Sequence, residues 1–324
     1  MEEKDKITFV TDCDEGYPER LRNMEDRPRT LYFRGDLPED DVPAVAIIGA
    51  RNCSPYGEYT ASEFGAYLAR QGVNIISGMA RGIDGISQKG ALEGGGKTFA
   101  VLGSGVDVCY PASNRALYGE ILQNGGILSI FPPGSAPEPF HFLQRNAIVS
   151  ALADIVLVIE ARASSGTCNT VEHALRQGRE IYAVPGRITD RLSDGCNILL
   201  RQGAGVALSP EDLYKELMIL WNRKTAGEIL PKRTSEESSR IIRKMKEARG
   251  MLEGTKPEPE RKRKKADTLT DMVDITARSA EEIYRRWKKH HKEATLQETT
   301  KELILLCLKG DISQIGSGYY YKKI

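Results

Sequence analysis

The alternation of short apolar runs with amphipathic stretches, between residue 45 and about residue 210, constrains the fold more than any other feature of the chain. The runs are rich in Val and Ile, and most of them end in Gly; they are VAIIG (45–49), VNIISG (73–78), TFAVLG (98–103), ILSIF (127–131), IVLVIE (155–160) and IYAVPG (181–186). Runs of this kind predict buried strands. The stretches between them, such as EYTASEFGAYLARQG, place apolar residues on one face of a helix. Strict alternation of strand and helix predicts a doubly wound, Rossmann-like α/β domain with a parallel sheet.

The composition changes along the chain and predicts four segments. Residues 1–44 read as an extended, Pro-bounded N-terminal segment that packs on the edge of the sheet of the Rossmann-like domain, 45–221. Residues 222–265 are charged, poor in aromatics and interrupted by Pro and Gly, which predicts a linker with one solvated helix. Residues 266–324 regain an apolar pattern of helices followed by a hairpin around GSG, which suits a small winged-helix-like module.

The 324 residues are 40% hydrophobic and 28% charged, with a formal net charge of +1. No apolar run approaches the roughly 20 residues of a membrane helix, and the N-terminus lacks the apolar stretch of a signal peptide. We therefore predict a cytoplasmic protein with no membrane contact. The six cysteines form no CxxC pair and the four histidines have no ligand spacing, so we predict reduced thiols, no metal and no cofactor.

Five loops rich in Gly, Ser and Arg follow the predicted strands. Because ligands of open α/β sheets bind at the carboxyl ends of the strands, these loops are the candidate binding site. Arginine forks and free backbone N–H groups both suit phosphate. One such loop is equally well explained by the turn it makes, whereas five with three arginines favour a phosphate-binding face. The candidate nucleic-acid contacts are Arg51, Ser54, Arg81, Gly103, Ser104, Gly105, Arg145, Asn146, Ser165, Gly166 and Thr167.

Enzyme signatures are weak in this sequence. A nicotinamide dehydrogenase would carry G-x-G-x-x-G after the first strand, but the loop there reads GARNCSPYG. GGGKT (94–98) is similar to part of a P-loop but precedes an apolar strand rather than a helix. His141 and His173 are interpreted as structural or surface residues, since no Ser–His–acid or Cys–His arrangement is legible. We therefore predict no catalytic residue.

Several ordered motifs resemble those of the DNA-processing protein A family, DprA or Smf. They cover about residues 15–215 and read YPERLRNMEDRPRTLYFRG, VAIIGAR, SPYG, VNIISGMARGIDGISQKGAL, GGKTFAVLGSGVDVCYP, NR, RN, SGT and GREIYAVPG. The resemblance implies a Rossmann-like core that binds single-stranded DNA without catalysis, commonly as a homodimer. It also implies delivery of the strand to the RecA recombinase in natural transformation and related recombination.

The family's basic pocket falls on Arg51, Arg81 and Arg145, and its glycine loop falls on 103–105. Neutralising ~3–5 phosphates would give a slope of log affinity against log salt of about −2 to −3.5 for a single strand. Bases could stack on Tyr56, Tyr110 or Phe142, each of which is equally suited to the core.

The chain departs from the family pattern at several positions. Ile130 stands where Glu is usual, Ala147 replaces a pocket arginine, and SGTCNT replaces SGSLIT. The N-terminal segment starts almost at Met1, so the longer N-terminal helical domain of many members is not expected. These departures suggest a specialised paralogue.

Two basic runs near the C-terminus, RKRKK (261–265) and RRWKKHHK (285–292), suit nucleic acid, a solvated face or a docked partner, and Trp287 is available for stacking. The main prediction is a single-stranded-DNA binder that assists recombination. The alternatives are a small-nucleotide-binding or nucleotide-processing enzyme that uses the same Gly-rich pocket, and an interaction adaptor with a vestigial pocket.

Overall fold

The structure is a computed structural model that describes residues 5–228, 235–254, 268–273, 278–289, 291–315 and 319–321. The chain divides into two compact units, Met1–Leu252 and Glu253–Ile324. None of the helices in the described ranges combines the length and the apolar character of a membrane span.

The first unit is built on one nine-stranded sheet in the order β1-β2-β6-β5-β4-β3-β7-β8-β9. From β6 to β9 all neighbours are parallel, and the predicted mostly parallel α/β fold is confirmed. The strands are β1 (Thr8–Thr11), β2 (Thr30–Gly35), β3 (Ala44–Ile48), β4 (Asn74–Ser77), β5 (Thr98–Val101), β6 (Gly125–Ser129), β7 (Ile155–Val158), β8 (Glu180–Ala183) and β9 (Gly205–Val206).

Helices cover both faces of this sheet because the central strands are apolar on both sides. On β3, Val45 and Ile47 pack with one group of helices, whereas Ala46 and Ile48 face the other. The helices are α1 (Glu19–Arg22), α2 (Pro55–Arg70), α3 (Ile83–Glu93), α4 (Arg115–Gln123), α5 (Pro139–Ala151), α6 (Thr167–Arg176), α7 (Asp194–Arg201), α8 (Pro210–Thr225) and α9 (Ser235–Gly254). The face of Val45 is covered by α2, α3 and α8, and the opposite face by α1, α5, α6, α7 and α9.

The N-terminal segment is more regular than the sequence indicates, because it adds two antiparallel strands to the sheet. β2 pairs with β6, and β1 pairs with β2 at the outer edge. The buried Arg20 of α1 ties the segment to the core. Its Nη2 lies 2.9 Å from Oδ2 of Asp154, and Lys224 Nζ lies 2.7 Å from Oδ1 of the same carboxylate.

Part of the segment interpreted as a linker is a packed helix. Ile242 and Met245 of α9 are buried against the core of the first unit, and the Ser238 hydroxyl donates to Leu175 O at 3.1 Å. The helix packs because RIIRKM places its apolar residues on one face. The basic run 261–265 lies outside the described residues.

The second unit has a small core of its own, formed mainly by Ile283, Leu303, Ile312 and Tyr320. A three-stranded antiparallel sheet, in the order β10-β12-β11, accompanies two helices with capping boxes. These elements are β10 (Arg278–Ser279), α10 (Ala280–Lys288), α11 (Leu296–Lys309), β11 (Ser313–Ile315) and β12 (Tyr319–Tyr321). The GSG turn (316–318) lies outside the described residues, and the winged-helix assignment stays a prediction.

Candidate nucleic-acid interface

The candidate loops all leave the carboxyl edge of the parallel sheet. The strand order reverses between β3 and β7, which makes the gap between them the topological switch point of the fold. Ligands of doubly wound sheets bind at such a point, at the carboxyl ends of the strands. The loops after β3, β4, β5 and β7 therefore form one surface, with the start of α5 beside it.

A carboxylate of the chain itself occupies the N-terminus of α2 at the switch point. Glu160, buried at the end of β7, accepts from Ser54 N at 2.9 Å and from the Ser54 hydroxyl. The same hydroxyl accepts from Gly57 N at 3.1 Å, so Ser54 caps α2. A Cβ at Gly57 would lie 2.3 Å from Glu160 Oε2, so only glycine fits. The anion position that helix N-termini offer to phosphate is filled internally here.

Arg51 and Arg81 are exposed next to this closed position. The loops that carry them are held together because Ile83 N donates to Ala50 O at 3.2 Å. Gly82 permits this contact, since its φ is +77° and a Cβ would lie 2.2 Å from the same carbonyl. The Arg51 guanidinium lies 5.7 Å from the ring centre of Phe142. Neither arginine pairs with a carboxylate among the described residues.

Arg145 differs from the other two predicted pocket arginines because it is buried. Its Nη1 donates to Gly78 O at 2.7 Å and to Val101 O at 2.6 Å, beneath the Phe142 ring. A Cβ at Gly78 would lie 1.9 Å from this nitrogen, so glycine makes room for the guanidinium. Burial lowers the pKa of Arg145, and nearby Asp84, whose own pKa is raised by burial, opposes that shift. A direct phosphate contact by Arg145 stays a prediction, and the geometry supports a positioning role.

The glycine loop after β5 supports Phe142 rather than presenting its serine to solvent. A Cβ at Gly103 would lie 2.7 Å from Phe142 Cδ1, so the ring rests on bare backbone. The buried Ser104 hydroxyl donates to Val108 O at 2.8 Å. Gly105 N donates to Ser135 O at 2.9 Å, which joins this loop to the one after β6. Contacts from this loop to DNA stay a prediction and would come from its backbone.

The loop before α6 has no side-chain cap, in contrast to the start of α2. Gly166 precedes the helix, and no described side chain caps it. The Ser165 Oγ has no hydrogen-bond partner among the described residues, and Thr167 begins the helix beside it. Asn146 reaches this helix from α5, because its Nδ2 donates to Asn169 Oδ1 at 3.1 Å. The Ser165 Oγ and Thr167 are buried whereas Gly166 is exposed, and contacts of these three residues with DNA stay a prediction.

Comparison with known proteins bears out the family resemblance of the sequence motifs. The family model described as DNA recombination-mediator protein A matches residues 8–218. The chain belongs to this family. The resemblance to the DprA/Smf proteins that its motifs indicate is therefore confirmed.

Relatives in this family include the DNA processing protein DprA of Streptococcus pneumoniae, which is 40% identical over 210 residues, covering 65% of this chain and 73% of the relative. Protein Smf of Escherichia coli is 40% identical over 204 residues, which cover 63% of this chain but 54% of that protein. The matched region thus spans about half the length of the latter relative.

Solved DprA structures share the fold. The Streptococcus pneumoniae protein has a TM-score of 0.62 at 39% identity, with 66% of this chain and 76% of that chain covered. The Helicobacter pylori protein has a TM-score of 0.61 at 32% identity, with 66% and 97% covered, and was described for its single-stranded DNA binding mode.

Aromatic side chains in this DprA-family chain surround the arginines. Of the predicted stacking residues, Tyr56 and Tyr110 are about half exposed, whereas Phe142 is held between Arg51 and Arg145. Tyr110 lies 5.5 Å from Phe142, centre to centre. Phe140, which is 64% exposed at the start of α5, is a further aromatic that is not among the predicted stacking residues. The sequence feature that indicates Phe140 is an aromatic residue in the first turn of a helix that starts at the carboxyl edge.

The titratable groups near the interface do not resemble catalytic ones. Burial raises the pKa of the Cys53 and Cys109 thiols, which keeps them neutral and weakly nucleophilic. Burial also lowers the pKa of His173. No group of three or more His, Cys, Asp or Glu in the described ranges is placed to hold a metal ion. In the second unit, Trp287 stacks on His291 with 3.6 Å between ring centres, so part of its surface is already in use.

Proposed function

We propose that this chain is a non-catalytic single-stranded-DNA-binding protein that assists homologous recombination or DNA uptake by presenting the strand to the RecA recombinase. The observation that carries the proposal is the exposure of Arg51 and Arg81 at the switch point, with no described carboxylate paired to either. Membership of the recombination-mediator family and the DNA-binding relative from Helicobacter pylori support the same function.

The interface suits the backbone of a nucleic acid rather than a base sequence. Arg51 and Arg81 supply planar guanidinium groups that can each take a phosphate, and the exposed Gly166 places backbone at the start of α6 within reach of the strand. Arg145 has a positioning role, because it lies against the Phe142 ring and Arg51 contacts that same ring. Such contacts are independent of sequence and strongly salt-dependent.

Exposed rings favour a single strand over a duplex. Tyr110 and Phe140 lie on the side of the interface formed by the β5 loop and α5, where unstacked bases can reach them. Base–aromatic stacking tolerates any sequence but requires bases that are not paired within a duplex. A duplex would offer its phosphates alone and would gain nothing from these rings.

The switch point disfavours the alternative of a mononucleotide site. A nucleotide of the Rossmann type places its phosphate at the first helix N-terminus after the first parallel strand. Here that helix is α2, and Glu160 occupies its N-terminus. A phosphate in the same place would meet a buried negative charge. With neutral thiols at Cys53 and Cys109, this arrangement supports binding rather than nucleotide processing.

The partners are part of the proposal. We infer a homodimer that acts in the cytoplasm, where single strands and the recombinase meet, and that has no membrane contact. Light scattering of the purified full chain would measure its mass in solution. Strand-exchange assays with a RecA recombinase would measure whether this protein shortens the lag before filaments form on DNA coated with single-strand-binding protein.

The direct test is fluorescence anisotropy with a labelled single strand of about 30 nucleotides across a range of salt concentrations. We expect Arg51→Ala/Arg81→Ala to weaken binding and to make the salt slope shallower by about 1.4, because each lost phosphate contact removes about 0.7. The control is Arg70→Ala/Arg201→Ala, which removes two exposed arginines at the helix ends near the opposite edge of the sheet.

Three outcomes decide the proposal. Weaker binding by the Arg51/Arg81 variant alone supports it. Equal binding by that variant and wild type would move the DNA site to the second unit. Absence of binding by the wild type would overturn it and leave nucleotide ligands to be tested.

A further inference from the structure

Four adjacent strands of the sheet are each followed by one exposed arginine. In spatial order the strands are β4, β3, β7 and β8, and the arginines are Arg81, Arg51, Arg162 and Arg187. None of the four pairs with a carboxylate among the described residues, although the neighbouring Arg191 pairs with Asp194 at 3.3 Å. Two of these arginines, Arg162 and Arg187, lie on the far side of the switch point from the pocket and have no role in the function proposed above.

The loops that carry these arginines are joined to one another. The Arg51 loop contacts the end of β7 through the bond from Ser54 N to Glu160, which lies two residues before Arg162. Farther along, the Tyr56 hydroxyl donates to Pro185 O at 3.2 Å, two residues before Arg187. These hydrogen bonds make one continuous surface across the reversal of strand order.

Four carboxylates near this surface are engaged within the chain, whereas Glu58, in the first turn of α2, is exposed. Glu160 is buried on Ser54, and Asp84 accepts from Gly78 N at 3.2 Å. Asp190 accepts from Leu192 N at 3.0 Å, and Asp194 faces Arg191. The four arginines therefore form a local cluster of cations, none of them paired with a carboxylate among the described residues, in a chain whose net charge is +1. Local clustering of this kind is what a polyanion recognises.

Apolar surface accompanies the far pair of arginines. Ile188, next to Arg187, is 90% exposed, and Tyr56, which lies between the two pairs, is about half exposed. An isolated phosphate would gain nothing from these side chains. A polynucleotide strand has both the charges and the flat base surfaces to use them.

We propose that the bound single strand continues across the switch point onto Arg162 and Arg187, which form a second binding segment beyond Arg51 and Arg81. This inference rests on the proposed function, because it extends the same interface. The row of four arginines, here called the switch-point track, runs across the strands of the sheet rather than along them. A short strand fills one side of the track, and a longer strand fills both.

The test compares the affinities of oligothymidylates of about 6 and about 20 nucleotides, lengths that bracket common single-strand site sizes. The variants are Arg162→Ala/Arg187→Ala and the matched control Arg70→Ala/Arg201→Ala. We expect the track variant to bind the short strand as the wild type does and to bind the long strand about 10-fold more weakly, with a salt slope shallower by about 1.4. Arg162→Glu/Arg187→Glu should weaken long-strand binding further, and thermal unfolding of each variant verifies that it is folded.

Two results would overturn the second segment. In the first, long-strand binding is unchanged in the track variant while Arg51→Ala/Arg81→Ala weakens it; the strand then ends at the pocket, and the proposed function stands. In the second, the track variant loses short and long strands equally, which means that its arginines act within the pocket. If the wild type binds neither strand, the proposed function itself has failed.

Discussion

The two edges of the parallel sheet use the same kinds of cation in opposite ways. At the amino edge, Arg20 and Lys224 both contact the buried carboxylate of Asp154, which also accepts from Ala44 N at 2.9 Å. At the carboxyl edge, Arg51 and Arg81 point to solvent with no carboxylate partner among the described residues. A cation whose partner lies within the chain stabilises the fold, whereas a cation without one remains available to a ligand.

Arg145 shows that position alone does not decide between these uses. It belongs to the carboxyl edge, yet its hydrogen bonds go to two backbone carbonyls and its guanidinium is buried. We therefore expect that replacing a cation with a partner inside the chain lowers stability, at either edge of the sheet. Replacing an exposed cation without such a partner should weaken DNA binding instead.

The largest effect is expected for Asp154→Ala at the amino edge. Removing this carboxylate leaves Arg20 buried without its counter-ion, and breaking a buried pair in this way costs about 3–5 kcal/mol of the free energy of unfolding. Urea denaturation followed by circular dichroism measures the change. Arg223→Ala, which removes an exposed partner of Glu228, is the control and should cost about 1 kcal/mol or less. A loss of the same size in both variants would contradict a stabilising role of the buried pair of Arg20 and Asp154.

An effect of similar size is expected for Arg145→Ala. Two buried carbonyls, those of Gly78 and Val101, lose their donor, and each such group left without a partner costs about 1–3 kcal/mol. Arg51→Ala should leave the free energy of unfolding within about 0.5 kcal/mol of wild type while it weakens DNA binding. Unchanged stability with weakened binding in Arg145→Ala would instead indicate a direct contact with phosphate.

The smallest effect is expected for Ser54→Ala. Loss of a helix cap costs about 0.5–2 kcal/mol, and here Glu160 also loses a donor. Ser209→Ala, which removes the cap of α8 without a buried carboxylate, is the matched control and should cost less. DNA affinity should stay within about twofold of wild type, since the Ser54 hydroxyl is already engaged. A large loss of affinity would show that this hydroxyl reaches the strand.

The strands of the core could be predicted because burial on both faces leaves a direct record in the sequence. Each of the six apolar runs corresponds to one strand from β3 to β8. β1 and β2 could not be predicted in the same way, since TFVT and TLYFRG are only partly buried and mix polar with apolar residues. β9 has two residues, too few to form a pattern.

The sequence predicts which residues lie at the candidate site better than it predicts which partners their side chains contact. Position after a strand predicts that Arg51 and Arg81 lie at the carboxyl edge, where the structure has them, but the partners of other candidates lie far away in the chain. Gly78 is 67 residues from Arg145, and Glu160 is 106 residues from Ser54. Glu160 was nevertheless detectable as a charged residue that ends an apolar strand, because a buried charge requires a partner.

Neighbouring strands of a sheet lie ~4.8 Å apart, so backbone hydrogen bonds set the distances between the points at which the four arginine-bearing loops leave β4, β3, β7 and β8. A bound strand would meet loops whose attachment points are set before association, so little backbone freedom is lost on binding. Changes in one loop would alter the affinity of one step along the row. The spacing of the attachment points would change only if the sheet were rebuilt.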